Sequence, residues 1–349
     1  MEFYFDIEFI RSLPFVNFNN EEEEEVFYDF KRFLARLNAN CYLFLASDIE
    51  FTEFNENPFY KLLLNVTVLK YLPYEDLGSI LKSEQTTGFK YFFLDHVDSV
   101  LSIRNEYGYY CTNSNDLISF WKITNSSRND LKKFISNTIS PFHFYNWKQL
   151  NEFSLPINSI IISDRYLFTG HEEIKNNLFP LLINIGLKAL TLRKIDIVIF
   201  GKEYFDLATK RKTNKHYTGN AEFELAFNTL KEFLNEKIGV QNYNLVFLRT
   251  DSSSTPKDKE FHIRALITNV LVLNPGGSFT IFERERLTLK VKAPEFLDLN
   301  FFLHSGTRGN NMENLVNLKR AFNLIANKPG EGGAIRVLVE NEKKCRLFN

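Results

Sequence analysis

Cysteine is scarce in this chain, with Cys41, Cys111 and Cys345 the only three in 349 residues, alongside 2 Met, 2 Trp and 6 His. Three widely spaced cysteines give no disulfide framework and no paired Cys-x-x-Cys for zinc. They point to a reducing, cytoplasmic setting in which each thiol serves as a small buried hydrophobe. The histidines never fall in His-Glu-x-x-His spacing, so no zinc site can be read. No uncharged apolar run reaches the roughly 18–20 residues that span a bilayer, which excludes a transmembrane helix and argues against a membrane partner. Met1 opens into Glu2-Phe3-Tyr4-Phe5-Asp6 with no basic region and no small-residue cleavage site, so a secretory signal is not expected. No internal repeat is present.

What is there is ordinary in bulk: 44% hydrophobic and 24% charged residues, the proportions of a folded chain rather than a disordered one. At roughly 150 residues per domain the length suggests two domains. The 36 Phe fit an AT-rich coding bias better than a special role. The net charge of -1 conceals a split. Residues 1–150 carry 14 Lys+Arg against 21 Asp+Glu, a net of -7, and residues 151–349 carry 28 against 22, a net of +6. Opposite halves of this kind either dock to each other or offer a basic surface to an anionic ligand.

The patterning predicts an α/β fold made of two mixed-sheet domains, 1–150 and 151–349, with the boundary set by the Ser/Pro punctuation around 125–155. In the first, Glu2–Asp6, Cys41–Ala46, Lys90–Asp95 and Tyr109–Cys111 read as strands. Asn19 and Asn20 before Glu21–Glu25 read as a helix start, since carboxylates complement the positive end of the helix dipole. That makes the glutamate run a solvated first turn rather than a metal trap. Val26, Phe27, Phe30, Phe33, Leu34 and Leu37 form its core stripe. In the second, Ser159–Ser163, Ile195–Phe200 and Asn244–Leu248 read as strands. Helices are expected near 171–186, 220–237 and 312–326. Residues 262–273 and 278–283 read as a strand pair turning through Asn274-Pro275-Gly276-Gly277.

The stretch Phe261-His262-Ile263-Arg264-Ala265-Leu266-Ile267-Thr268-Asn269, followed by Gly276-Gly277-Ser278, resembles the half-site of the phospholipase D-like superfamily: His-x-Lys, four residues, Asp, then Gly-Ser-x-Asn. The resemblance covers about residues 157–285. It implies catalytic positions at His262, Arg264, Asn269 and Ser278, phosphodiester chemistry without a cofactor, and a phospholipase D-like C-terminal domain. In that family one histidine attacks phosphorus, a second protonates the leaving oxygen and lysines neutralise the phosphate. Here Arg264 stands for the lysine and Asn269 for the aspartate. No second His-x-Lys occurs, so two half-sites would need a homodimer. The resemblance therefore favours a degenerate, phosphate-binding domain, and by association a prokaryotic antiviral defence or mobile-element system.

Other residues point the same way. Asp164-Arg165 follows a predicted strand, where ligand-binding residues of open α/β sheets collect, although an ion pair closing a loop would look alike. Lys210, Arg211, Lys212 and Lys215, followed by His216 and Tyr217, suit a nucleic-acid backbone as well as they suit a solvated loop. In the acidic half, Asp6, Asp95 and Asp116 follow successive strands in an order similar to PIN-like nucleases, which implies Mg²⁺ or Mn²⁺ there, whereas helix capping and turn formation are the simpler account of them. The sequence reading is thus a nucleic-acid-associated protein contacting DNA or RNA. Its alternatives are an active nuclease, using His262 in a dimer or the N-terminal metal, and an adaptor that binds a partner protein of a complex.

Overall fold

The computed structural model describes residues 1–37, 42–47, 56–64, 69–83, 89–96, 100–125, 132–164, 171–187, 194–202, 220–250, 263–285, 288–292, 295–302, 308–326 and 335–348. The expected α/β class is what it shows: a five-stranded parallel sheet and a nine-stranded mixed sheet, each packed with helices. Among the described residues no helix is long and apolar enough to cross a membrane.

The first sheet contains β1 (Glu2–Asp6), β2 (Tyr42–Ala46), β3 (Leu69–Leu72), β4 (Lys90–Phe93) and β5 (Tyr110–Thr112), in the order β3-β2-β1-β4-β5. All its pairings are parallel, so the chain must cross over through helices between strands. Helices α1 (Ile7–Ser12), α2 (Glu21–Ala35), α3 (Pro58–Leu64) and α6 (Leu117–Asn125) cover one face; α4 (Tyr74–Lys82) and α5 (Val100–Tyr107) cover the other. Strands buried on both faces read as continuous apolar runs, and β4, Lys-Tyr-Phe-Phe, is buried at every position. Rings on each face stack across strands: Tyr4 on Phe44 and Phe92, Phe5 on Phe93. The glutamate run is the first turn of α2, with Asn20 Oδ1 accepting from the Glu23 amide at 3.0 Å while the Glu23 carboxylate accepts from Asn19 N. Phe27, Phe30 and Leu34 of its stripe are buried.

Lys90 opens β4 and is buried beneath the second face. Its ammonium donates to the Ile80 carbonyl at 3.2 Å and lies over the rings of Tyr4 and Tyr109. Burial lowers its pKa to about 8, against a smaller upward pull from Glu2.

The second sheet has the order β16-β10-β9-β8-β11-β12-β15-β6-β7. It already begins inside residues 1–150, with β6 (Lys132–Ile135) and β7 (His143–Phe144), before the 3-10 helix Trp147–Phe153. Its centre is a βαβαβ run: β8 (Ser159–Ser163), a helical stretch over 171–187, β9 (Ile195–Lys202), α9 (Asn220–Ile238) and β10 (Tyr243–Thr250), the three strands parallel. The 171–187 stretch alternates α7 (His171–Glu173) and α8 (Phe179–Leu182) with π-turns, because Pro180 has no amide to donate and Asn177 turns its side chain outward to Phe282.

The strand pair expected at 262–273 and 278–283 turns elsewhere. β11 (Ala265–Thr268) and β12 (Leu271–Pro275) form a tight hairpin, because Thr268 Oγ1 accepts from both Val270 N and Leu271 N and reverses the chain at Asn269. β13 (Phe282–Glu285) and β14 (Thr288–Val291) make a separate ribbon, and β15 (Phe296–Phe301) joins β12 to β6. After α10 (Arg308–Ala326), β16 (Ile335–Glu340) pairs antiparallel with β10. Phe247 packs on Phe223 and Phe227 of α9, whereas Phe200, one residue off in register, faces Phe348, itself packed on Phe322 of α10. Hence α9 and α10 lie on opposite faces. Segment 341–348 returns to the start of β9, where the buried Asp196 accepts from Arg346 N at 2.9 Å and Asn244 Nδ2 at 2.8 Å.

The two sheets meet through a buried junction. Asn269 Nδ2 donates to Gly108 O at 2.7 Å, its Oδ1 accepts from Asn158 N at 3.1 Å, and Phe89 packs on Phe302. Gly108 takes φ 63, a left-handed turn that spares it a Cβ penalty at the end of α5.

Candidate functional site

In open α/β sheets ligands collect beyond the carboxyl ends of parallel strands, at the point where the strand order reverses. In the five-stranded sheet that point lies between β1 and β4. Asp6 ends β1 there and is fully buried. Its Oδ1 accepts from Phe9 N at 2.6 Å, capping α1, and its Oδ2 accepts from His96 N at 2.7 Å. Burial raises its pKa to about 6, opposed by the amides of His96, Phe9 and Asp95 and assisted by the Asp95 charge. Asp95 Oδ1 accepts from Ser114 N at 2.8 Å, which ties the turn after β4 to the turn after β5. His96 stacks on Tyr74 with ring centroids 4.1 Å apart. Asp116 is held 3.2 Å from the Arg104 guanidinium, which lies over the Phe120 ring. So Asp6 and Asp95 are brought together, while Asp116 is engaged by a cation. Among the described residues no group of three His, Cys, Asp or Glu side chains is placed to hold a metal ion.

The second edge belongs to the nine-stranded sheet. Strands β8, β9 and β10 run parallel and end at Ser163, Lys202 and Thr250; β11, antiparallel to β8, begins at Ala265 on the same edge, and β12 ends there at Pro275. Asp164 follows β8 and is buried. Its Oδ2 accepts from Ser278 Oγ and from Phe279 N, both at 2.6 Å, fastening the Gly276-Gly277-Ser278 turn against the strand end. Thr280 Oγ1 lies 3.0 Å from Ser278 Oγ, and Ser163 Oγ donates to Ile263 O at 2.7 Å, one residue before Arg264. A methyl group on Gly277 would overlap the Glu295 carboxylate. The positions of Arg264 and Ser278 therefore share this edge.

Asn269 does not share it. It sits at the far end of β11, in the junction between the sheets, with both ends of its amide used. His262, Arg165, Lys210, Arg211, Lys212 and Lys215 lie outside the described residues. Cys111 and Cys345 are buried, and burial is the main cause of their raised thiol pKa values, the state of inert structural cysteines. No pattern in the sequence marks Glu295; the paired glycines before Ser278 are the available signal for a carboxylate packed on bare backbone. No protein-family model matches the chain, and no curated protein matches its sequence.

Proposed function

We propose that this chain is a nucleic-acid-associated protein that binds the phosphate backbone of DNA or RNA along the strand-end edge of its nine-stranded sheet, as a degenerate relative of phospholipase D-like domains. One observation carries this reading: three parallel strands end on one edge, at Ser163, Lys202 and Thr250, and the segments that follow them bear Arg165, the 210–215 cations and His262-Arg264. A strand-end edge followed by cationic segments suits a polyanion, whose affinity rests on cations that displace condensed counterions. Arg264 adds a fork-shaped donor set that fits a phosphate bidentately. The Asp164–Ser278 clamp supplies the rigid floor.

A second reading is metal-assisted phosphodiester cleavage at the N-terminal edge. It is favoured by the placement of Asp6 and Asp95 at the strand-order reversal, where Mg²⁺ or Mn²⁺ would be held with further ligands.

Mobility-shift titrations of single- and double-stranded DNA and RNA, with and without Mn²⁺, test both. Salt-sensitive binding is expected. Neutralising Lys210, Arg211 and Lys212 together should flatten its salt dependence by about three counterions, so that affinity lost between 50 and 200 mM salt falls roughly 40-fold less. No binding to any nucleic acid at low salt would overturn the proposal and leave a protein-protein adaptor. EDTA-sensitive cleavage lost in Asp95→Ala would establish the second reading instead.

A further inference from the structure

Strand β16 is an edge strand: β10 pairs with one side of it, and among the described residues no strand pairs with the other. Edge strands invite pairing unless proline, bulges or charges block them. β16, Ile-Arg-Val-Leu-Val-Glu, has no proline or glycine; Val337 and Leu338 are half-buried and Val339 is exposed. Its pattern is self-complementary. In an antiparallel pairing of β16 with a second β16 about a two-fold axis at Leu338, Leu338 meets its own copy and Val337 meets Val339. Arg336 then falls opposite Glu340 at both ends. β-branched and opposite-charge cross-strand pairs are the favourable ones.

The register inside the chain adds a second reason. In backbone register, position 336 lies directly across from position 249 of β10, so the other side of β16 is the one left to a second strand. Glu340 already lies 2.8 Å from Lys231 of α9, so in a pair of copies the Glu340 carboxylate of one would stand between that lysine and the Arg336 position of the other.

We propose that β16 is a homodimerisation edge, through which two copies of this chain join their nine-stranded sheets into one continuous antiparallel-centred sheet. The pairing does not depend on the phosphate-binding reading, but it shapes it. The axis stands perpendicular to the sheet, so β8–β10 of the two copies point in opposite directions. Their strand-end edges then face away from each other, giving two separate backbone-binding edges rather than one shared two-histidine centre.

The test uses the full chain and sedimentation equilibrium, with the cross-linking variants alongside. The unaltered protein is expected to dimerise. Arg336→Glu and Glu340→Lys, each creating two like-charge pairs, should each weaken dimerisation about tenfold. An equimolar mixture of the two variants should recover it, because the mixed dimer restores both opposite-charge pairs; a variant that had merely unfolded could not do so. Oxidised Leu338→Cys should form a covalent dimer, whereas Val339→Cys, facing residue 337, should not. A protein monomeric up to about 100 μM, or a dimer insensitive to both charge variants and not trapped by Leu338→Cys, would overturn the proposal.

Discussion

Asp6 and Asp164 occupy corresponding places, each at the carboxyl end of a central parallel strand, each buried, each holding main-chain amides. They differ in where their partners come from. Asp6 takes one amide three residues on and one from the turn after the neighbouring strand. Asp164 takes Ser278 Oγ and Phe279 N from more than a hundred residues away. The first carboxylate is a helix cap that also joins two turns; the second is a long-range clamp. A buried carboxylate at a strand end therefore says little by itself about chemistry. Its partners decide whether it ties neighbouring turns of one sheet edge together, as in the five-stranded sheet, or fastens a distant turn against a strand end, as in the nine-stranded one.

The contrast can be broken by substitution. Asp164→Ala strands the buried Phe279 amide and frees the Gly276-Gly277-Ser278 turn, and should cost about 3 kcal/mol in denaturant unfolding. It should also weaken nucleic-acid binding, whereas Asp6→Ala should leave binding intact. Asn269→Ala, which orphans the Asn158 amide and the Gly108 carbonyl between the sheets, should cost about 2–3 kcal/mol. If the junction is what couples the sheets, its unfolding should split into two transitions.

Within the five-stranded sheet, the pH dependence separates the carboxyl end of β1 from the start of β4. Asp6 has its pKa raised from 3.8 to about 6, so the folded chain keeps a proton that the unfolded chain releases. Its contribution to stability is fully present below about pH 4 and is lost as pH rises towards 6, by of order 2 kcal/mol. Asp6→Asn should flatten that portion of a stability–pH profile; an unchanged profile would show that another group titrates. Lys90 works in the opposite sense. Its lowered pKa makes the folded state the poorer proton binder, so stability falls as pH drops from about 10 to about 8. Lys90→Met keeps the length of the side chain and removes the buried charge, and should raise the melting temperature at pH 7, equivalent to about 1–2 kcal/mol. Smallest of all, Ser278→Ala should cost about 1 kcal/mol, since Asp164 keeps the Phe279 amide.

The same difference in range explains what was legible in the sequence. Local rules were: the Asn20 cap and glutamate first turn, the apolar runs of β4, β8, β9 and β10, and the buried stripe of α9 from Phe223 to Leu234. Asp164 could be placed at a strand end, but Ser278 could not be assigned to it, because nothing in a linear pattern links positions 114 residues apart. The hairpin turn at Thr268-Asn269 hid inside an apolar run, with one hydroxyl supplying the reversal that a glycine usually marks. Asn269 shows the limit of motif spacing. Five positions after Arg264 looks near, yet β11 is four residues of extended chain, about 13 Å, enough to carry Asn269 to the opposite rim of the sheet. The short strands β6 and β7 belong to the second sheet although they precede position 150, since pairing with β15 rather than local composition decides membership.

The buried Asp196 carries a consequence for synthesis. Its partner Arg346 is 150 positions later in the chain. At about 5–20 residues per second, roughly eight to thirty seconds pass on the ribosome between the two. During that interval β9 holds a carboxylate lacking its cation, and the flank of β10 that β16 will cover is bare. A strand flank left open in this way invites pairing with another chain until β16 covers it. Until Ile335–Phe348 has emerged, neither that flank nor the Asp196 carboxylate has its cover.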